Sequence, residues 1–201
     1  LDAYLSRDSE ARVACETLAA NNRIVVAGEV SASDSASVDV EKVVRDCVAD
    51  IGYVRPEDGF SADSCDVEIS LQEQSADIAQ GVDNAADSGN LGAGDQGLMF
   101  GFACRETPSL MPLPIDLAHD LMYRHARMRR EGKIKGIRPD AKSQVTVEYN
   151  TQGKPVRIDT VVVSTQHTPE WNGRRKQAEL KQQVIRHVIE PSMPKNLWDP
   201  K

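Results

Sequence analysis

Nothing in the 201-residue chain is basic enough, apolar enough or rich enough in paired cysteines to suggest a nucleic-acid binder, a membrane span or a disulfide scaffold. The formal charge is −7 and no run of Lys and Arg is long enough to track a phosphate backbone, which excludes an electrostatic nucleic-acid binder. No apolar run is long enough to cross a bilayer and no secretory leader is visible, so a membrane role is not expected and a cytoplasmic location is. The four cysteines, Cys15, Cys47, Cys65 and Cys104, never take C-x-x-C spacing, and each lies inside an otherwise apolar pattern. They read as reduced, buried thiols rather than as a zinc site or a disulfide framework.

What the chain does have is a 40% apolar content, enough for a real core in one large domain or two small ones. Both ends read as interruptions: LDAYLSRD looks like the last turns of a helix, and NLWDPK stops after a Pro-rich turn. From Ala11 to Val30 two alternating stretches flank Asn21-Asn22, a hairpin with one carboxylate per strand, Glu16 and Glu29. Either carboxylate suits an exposed strand position as well as a site. Val40, Val43, Val44, Cys47, Val48 and Ile51 then repeat with helical period, and Gly52 ends that helix. Cys65 to Gln72 alternates as a strand buried on one face, giving the order β-β-α-β.

Residues 74 to 94 show no sustained period, and so long a stretch is either a lid or a linker. The next segment, LGAGDQGLMFGFACRE from Leu91 to Glu106, holds Asp95 and Gln96 on a glycine frame. The apolar run Leu98 to Ala103 should anchor that loop to a core as a strand or buried helix. A helix is expected over Ile115 to Arg130 with Ala118, Leu121, Met122 and Met128 inward, and with His119 and His125 as ordinary helix residues rather than metal ligands. Its Arg127, Arg129 and Arg130, with Lys133 and Lys135 beyond, read as a solvated basic face. A basic loop to Asp140, strands over Gln144 to Tyr149 and Val156 to Thr165, and a helix over about Gln177 to Ile189 stopped by Pro191 complete a helix-β-β-α half. Val145, Val147 and Tyr149 should form the buried face of the first of those strands.

Several strings in this order, ARVACET, AGE, QSADIAQGVD, GAGDQGLMFG, RPDAKSQVT and STQH, together resemble S-adenosylmethionine synthetase, also called methionine adenosyltransferase. The resemblance implies an α+β fold of similar sheet-plus-helix domains about a pseudo-threefold axis. Residues 1–73 would be the N-terminal module, 74–90 a flexible active-site loop and 91–201 the central module. It implies ATP and L-methionine as substrates, magnesium and potassium as cofactors, and a homodimer or dimer of dimers with active sites between subunits. Position by position, Glu29 resembles the glutamate that holds the methionine ammonium group, and Gln74 the methionine-contacting glutamine that opens the loop. Asp95 resembles an active-site aspartate near methionine. Asp140, Ala141 and Lys142 match an ATP-contacting string, with Lys142 as a point charge for phosphate, and Glu16 resembles a potassium-site glutamate. The family's His-Pro-Asp-Lys string, with its magnesium-binding aspartate, and its third module have no counterpart in the 201 residues. The alternative is therefore a truncated, non-catalytic module that dimerises or binds ligand only in part.

Overall fold

The alternation on either side of Asn21-Asn22 becomes a hairpin because both asparagines take left-handed backbone angles, φ 50° and 58°, as a two-residue turn matched to strand twist requires. In the computed structural model, which describes residues 1–33, 38–73 and 96–199, strand β1 (Arg12–Ala20) pairs antiparallel with β2 (Arg23–Ser31), from Ala20 opposite Arg23 out to Arg12 opposite Ser31. A short helix α1 (Asp2–Leu5) precedes them. Gly28 sits at φ 145°, and a Cβ there would lie 2.0 Å from the Ala14 carbonyl oxygen, so only glycine lets the two strands approach at this point.

Helix α2 (Val40–Ile51) carries the chain over to β3 (Asp66–Glu73), which lies parallel to β2 and makes the three-stranded order β1-β2-β3. The Asp39 side chain accepts from Lys42 N–H at 2.9 Å at the start of α2, and left-handed Gly52 closes its end. Arg45 fastens α2 to the entry of β3: its Nη1 donates to the carbonyls of Ala62 at 2.6 Å and Cys65 at 3.2 Å, while Nη2 and Nε hold Glu41. Ile24, Val26, Val48, Ala62 and Cys65 form the core of this unit.

The expected apolar stripe of α2 is split. Val40, Val44 and Val48 face the core, whereas Val43, Cys47 and Ile51 are exposed, because one small sheet covers only a narrow face of the helix. All four cysteines are free, and of them Cys65 alone is fully buried, so the expectation of four buried thiols fails at Cys47, which is exposed, and at the half-buried Cys15 and Cys104.

The chain divides into two compact units, Leu1–Met99 and Phe100–Lys201. In the second, helix α3 (Leu113–Arg130) packs on a hairpin of β4 (Ile137–Tyr149) and β5 (Pro155–His167). Helix α4 (Arg174–Val184) follows, running through a π-turn over Ile185–Ile189 into the short α5 (Glu190–Ser192). Leu117, Leu121, Val145, Ile158, Val184 and Val188 centre its core. Both units are α+β, as expected.

Four expectations change here. Residues 98 to 103 are neither strand nor helix, and Leu98, Met99, Phe100 and Phe102 are 82%, 92%, 91% and 75% exposed, so this run is not anchored in a core. Strand β4 begins at Ile137, not Gln144, so Ile137 to Asp140, the last part of the stretch read as a basic loop, is strand; its pairing with β5 is irregular between Ile137 and Ala141. Pro191 does not stop the last helix but sits in the first turn of α5, where its missing N–H is not needed. Tyr149, expected on a buried face, is 36% exposed, because register shifts beside Val147 and Tyr149 turn the strand end outward. Its hydroxyl donates to Glu106 Oε2 at 2.7 Å, and that carboxylate also accepts Leu113 N–H at 2.9 Å at the start of α3. A carboxylate is favoured at that helix end, and the two donors hold Glu106 below the usual range.

Candidate functional site

Antiparallel pairing decides which carboxylates of the first unit meet. Glu16 lies opposite Ala27 and Glu29 opposite Ala14, so the two glutamates share the sheet face turned away from α2 and are diagonal neighbours, a pair about 7–8 Å apart. Both are exposed, and only the alanines stand between them. The Gly28 contact with Ala14 fixes the strand spacing directly beside Glu29. Glu16 is a hard oxygen donor in open water on an edge strand, a chemistry that suits an oxygen-ligated cation such as potassium. Among the described residues no group of three His, Cys, Asp or Glu is clustered for a metal ion.

In the second unit Asp140, Ala141 and Lys142 lie on β4 at and just after the irregular stretch of the ladder. Lys142 is exposed opposite Ser164, with Gln144 opposite Val162 and Thr146 opposite Thr160 further along the same face. Asp140 is exposed and Ala141, opposite Thr165, is half-buried. The ammonium of Lys142 thus faces neutral residues across the ladder, with the exposed carboxylate of Asp140 two residues before it on the same strand, a place where it can meet an anionic ligand from solvent.

Beneath this face the strands are braced from α3. Ser143 Oγ donates to the Ala118 carbonyl at 2.8 Å, and His125 Nε2 lies 2.7 Å from Thr165 Oγ1. The Thr165 hydroxyl donates onward to the Gln166 carbonyl at 3.1 Å, which assigns the proton to His125 Nε2 as donor. His125 is 2% exposed, and burial, with the Arg129 charge adding to it, pushes its imidazole below the ordinary value and keeps it neutral.

In the sequence this histidine reads as an ordinary helix residue. Its signal was the stripe Leu117, Leu121, His125, Met128, on which it occupies a core position. Of the other residues expected in a site, Gln74 and Asp95 lie outside the described residues. Glu16 and Glu29 come together on one unit, and Asp140, Ala141 and Lys142 on the other.

The family model for the N-terminal domain of S-adenosylmethionine synthetase matches residues 1–76, and that for its central domain matches residues 90–201. The chain belongs to the S-adenosylmethionine synthetase family. The two matched spans cover all of the ordered elements: α1 to β3 in the N-terminal domain and α3 to α5 in the central domain. Both glutamates therefore stand in the synthetase N-terminal domain, and the Asp140–Lys142 string and its His125 brace in the central domain. No helix among the described residues is long and apolar enough to cross a membrane.

Proposed function

We propose that the protein is a methionine adenosyltransferase, making S-adenosylmethionine from ATP and L-methionine. The methionine sulfur forms a bond to C5′ of ATP as the C5′–O bond breaks. Triphosphate leaves with the bonding electrons and is then hydrolysed to pyrophosphate and phosphate. An uncharged thioether nucleophile has no proton to lose, so no general base is required. The chain's part is to hold sulfur and carbon in line and to stabilise the charge gathering on the leaving group.

The family match to both domains carries this reading. Glu29 is assigned to the methionine ammonium group, with Gln74 and Asp95 as further methionine contacts and residues 74–90 as the active-site loop. Asp140, Ala141 and Lys142 are assigned to ATP. The exposed Lys142 ammonium, opposite neutral residues across the ladder, supports a phosphate contact. Glu16 would hold potassium. Magnesium would lower the charge of the triphosphate; none of the residues assigned above is its ligand. We take the working form to be a cytoplasmic homodimer or dimer of dimers with its sites between subunits.

The test uses the intact protein with ATP, methionine, magnesium and potassium, with S-adenosylmethionine measured by mass spectrometry. Lys142→Ala should lower kcat by roughly 100-fold or more, the loss typical of removing a charge-stabilising donor, with far-UV circular dichroism unchanged. Normal turnover in that variant refutes the role of Lys142. ATP binding by the wild-type protein without any product would favour the non-catalytic module instead.

A further inference from the structure

Successive residues of a strand point to opposite faces, so the direction of the Lys142 side chain is set by its neighbours Ala141 and Ser143. Both neighbours are tied to α3. Ser143 Oγ donates directly to the Ala118 carbonyl at 2.8 Å. Ala141 has no polar side chain, but Thr165 across the ladder accepts from His125 Nε2 at 2.7 Å. Ala118 and His125 stand about two turns apart on the same helix. One rod therefore fixes the phase of the strands on either side of Lys142.

The tie through His125 is the one that the ladder does not supply. Pairing is irregular between Ile137 and Ala141, a stretch that contains Pro139 and so lacks one backbone N–H. The Ala141–Thr165 pair is thus the first regular rung, with an irregular stretch on one side and the Lys142–Ser164 rung on the other. A rung in that place frays before the ladder behind it, and a one-residue slip there would turn the ammonium toward the core. Space filling alone does not explain the histidine. On the stripe of Leu117, Leu121 and Met128 an aliphatic side chain would fill the same position, whereas a polar group that is 2% exposed is costly unless it is bonded.

We propose that His125 is a positioning residue for the transferase reaction: by holding Thr165, and with it the Ala141 rung, it keeps the Lys142 ammonium directed outward toward the departing triphosphate. This rests on the adenosyltransferase reading and on Lys142 as a phosphate contact. His125 itself touches neither substrate nor reacting atoms; it acts through the strand pair above it. A displacement of about 1 Å in a charge-stabilising group can cost on the order of 100-fold in rate, so a loosened rung is enough to be felt in turnover.

A double-mutant cycle in the intact protein tests it, with S-adenosylmethionine formation at saturating ATP and methionine normalised to folded protein. His125→Leu should lower kcat by on the order of tenfold. Added to Lys142→Ala, the same change should cost less than about twofold more, because the group it positions is already gone. His125→Gln, which keeps an N–H for Thr165, should recover most of the loss. Amide exchange at 141–143 should quicken about tenfold or more in His125→Leu, with 145–149 as in wild type. Thr165→Val removes the same bond from the strand side and should reproduce the pattern, which keeps the test decisive should His125→Leu fold poorly. Wild-type turnover in both His125→Leu and Thr165→Val, a fully multiplicative loss in the double variant, or no recovery with glutamine each overturns the proposal. If Lys142→Ala is impaired while His125→Leu is not, the adenosyltransferase reading stands and the positioning role falls. If the wild-type protein binds ATP but makes no product, that reading falls, and the ATP dissociation constant measured by calorimetry replaces kcat in the same cycle. Absence of both product and ATP binding overturns both.

Discussion

Replacing His125 by glutamine separates two things that the buried imidazole does: donating to Thr165 and refusing a proton. Glutamine offers an amide N–H to the same hydroxyl and cannot titrate, so at pH 8 the variant should lie within about 1 kcal/mol of wild type, the net worth of one ordinary hydrogen bond. Acid tells them apart. The folded imidazole is held below its ordinary value of 6.5, first by burial and then by the neighbouring Arg129 charge. The unfolded chain therefore binds the proton more readily, and the stability contributed by neutral His125 is fully present above pH 6.5 and is lost as pH falls from there toward the folded value. One pH unit below 6.5 the loss is at most about 1.4 kcal/mol, the full value being reached when the folded site stays neutral throughout. Urea midpoints for wild type and His125→Gln at pH 8, 6.5 and 5.5 measure it. The wild type should lose stability over this interval by up to that amount more than the variant. The other three histidines are common to both chains and cancel in the difference. Parallel pH slopes would refute the account of His125 as a buried neutral donor.

Two further outcomes follow from local geometry. Gly28→Ala puts a methyl group 2.0 Å from the Ala14 carbonyl at φ 145°, so the first unit should lose roughly 1–3 kcal/mol from backbone strain alone, read by chemical denaturation, and more from the forced strand separation beside Glu29. Tyr149 has its ionisation pushed up to about 12, chiefly by burial and then by its bond to Glu106. In a spectrophotometric titration at 295 nm, Tyr149→Phe should remove the late-titrating phenol, and Glu106→Gln should move it back only partway toward 10. The phenol's contribution is present below pH 10, its unfolded value, and fades as pH rises through about 12.

Much of this architecture is visible in the letters because local chemistry and packing agree. Asn21-Asn22 dictates a tight hairpin, Asp39 and Gly52 mark both ends of α2, and the alternation of Cys65 to Leu71 gives a strand that settles beside β2 with Cys65, Val67 and Leu71 on the core, although Ile69, expected on the same buried face, is exposed. The departures have tertiary causes. Hydrophobicity at Leu98 to Phe102 specifies a wish for burial but not a partner, so the run lies outside any strand or helix and is exposed. The start of β4 at Ile137 depends on pairing with His167, thirty residues away and invisible to any local window. Site residues show the same division. The face shared by Glu16 and Glu29 follows from hairpin register alone. The His125 brace required knowing that Thr165 of β5 lies under α3, which no spacing along the chain conveys.

Arg45 shows what one side chain can do to the way a fold comes apart. A single guanidinium binds a carboxylate on its own helix and two carbonyls at the threshold of β3. Fraying of α2 would strand those carbonyls, and slippage of β3 would strand the cation. Helix, connecting loop and strand are thereby bound to exchange their amide protons as one cooperative block rather than in succession. The sheet that carries the two glutamates has its central strand held between that block and the hairpin, so thermal breathing of the first unit should be concentrated at the outer strand β1 and leave the β2–β3 register undisturbed.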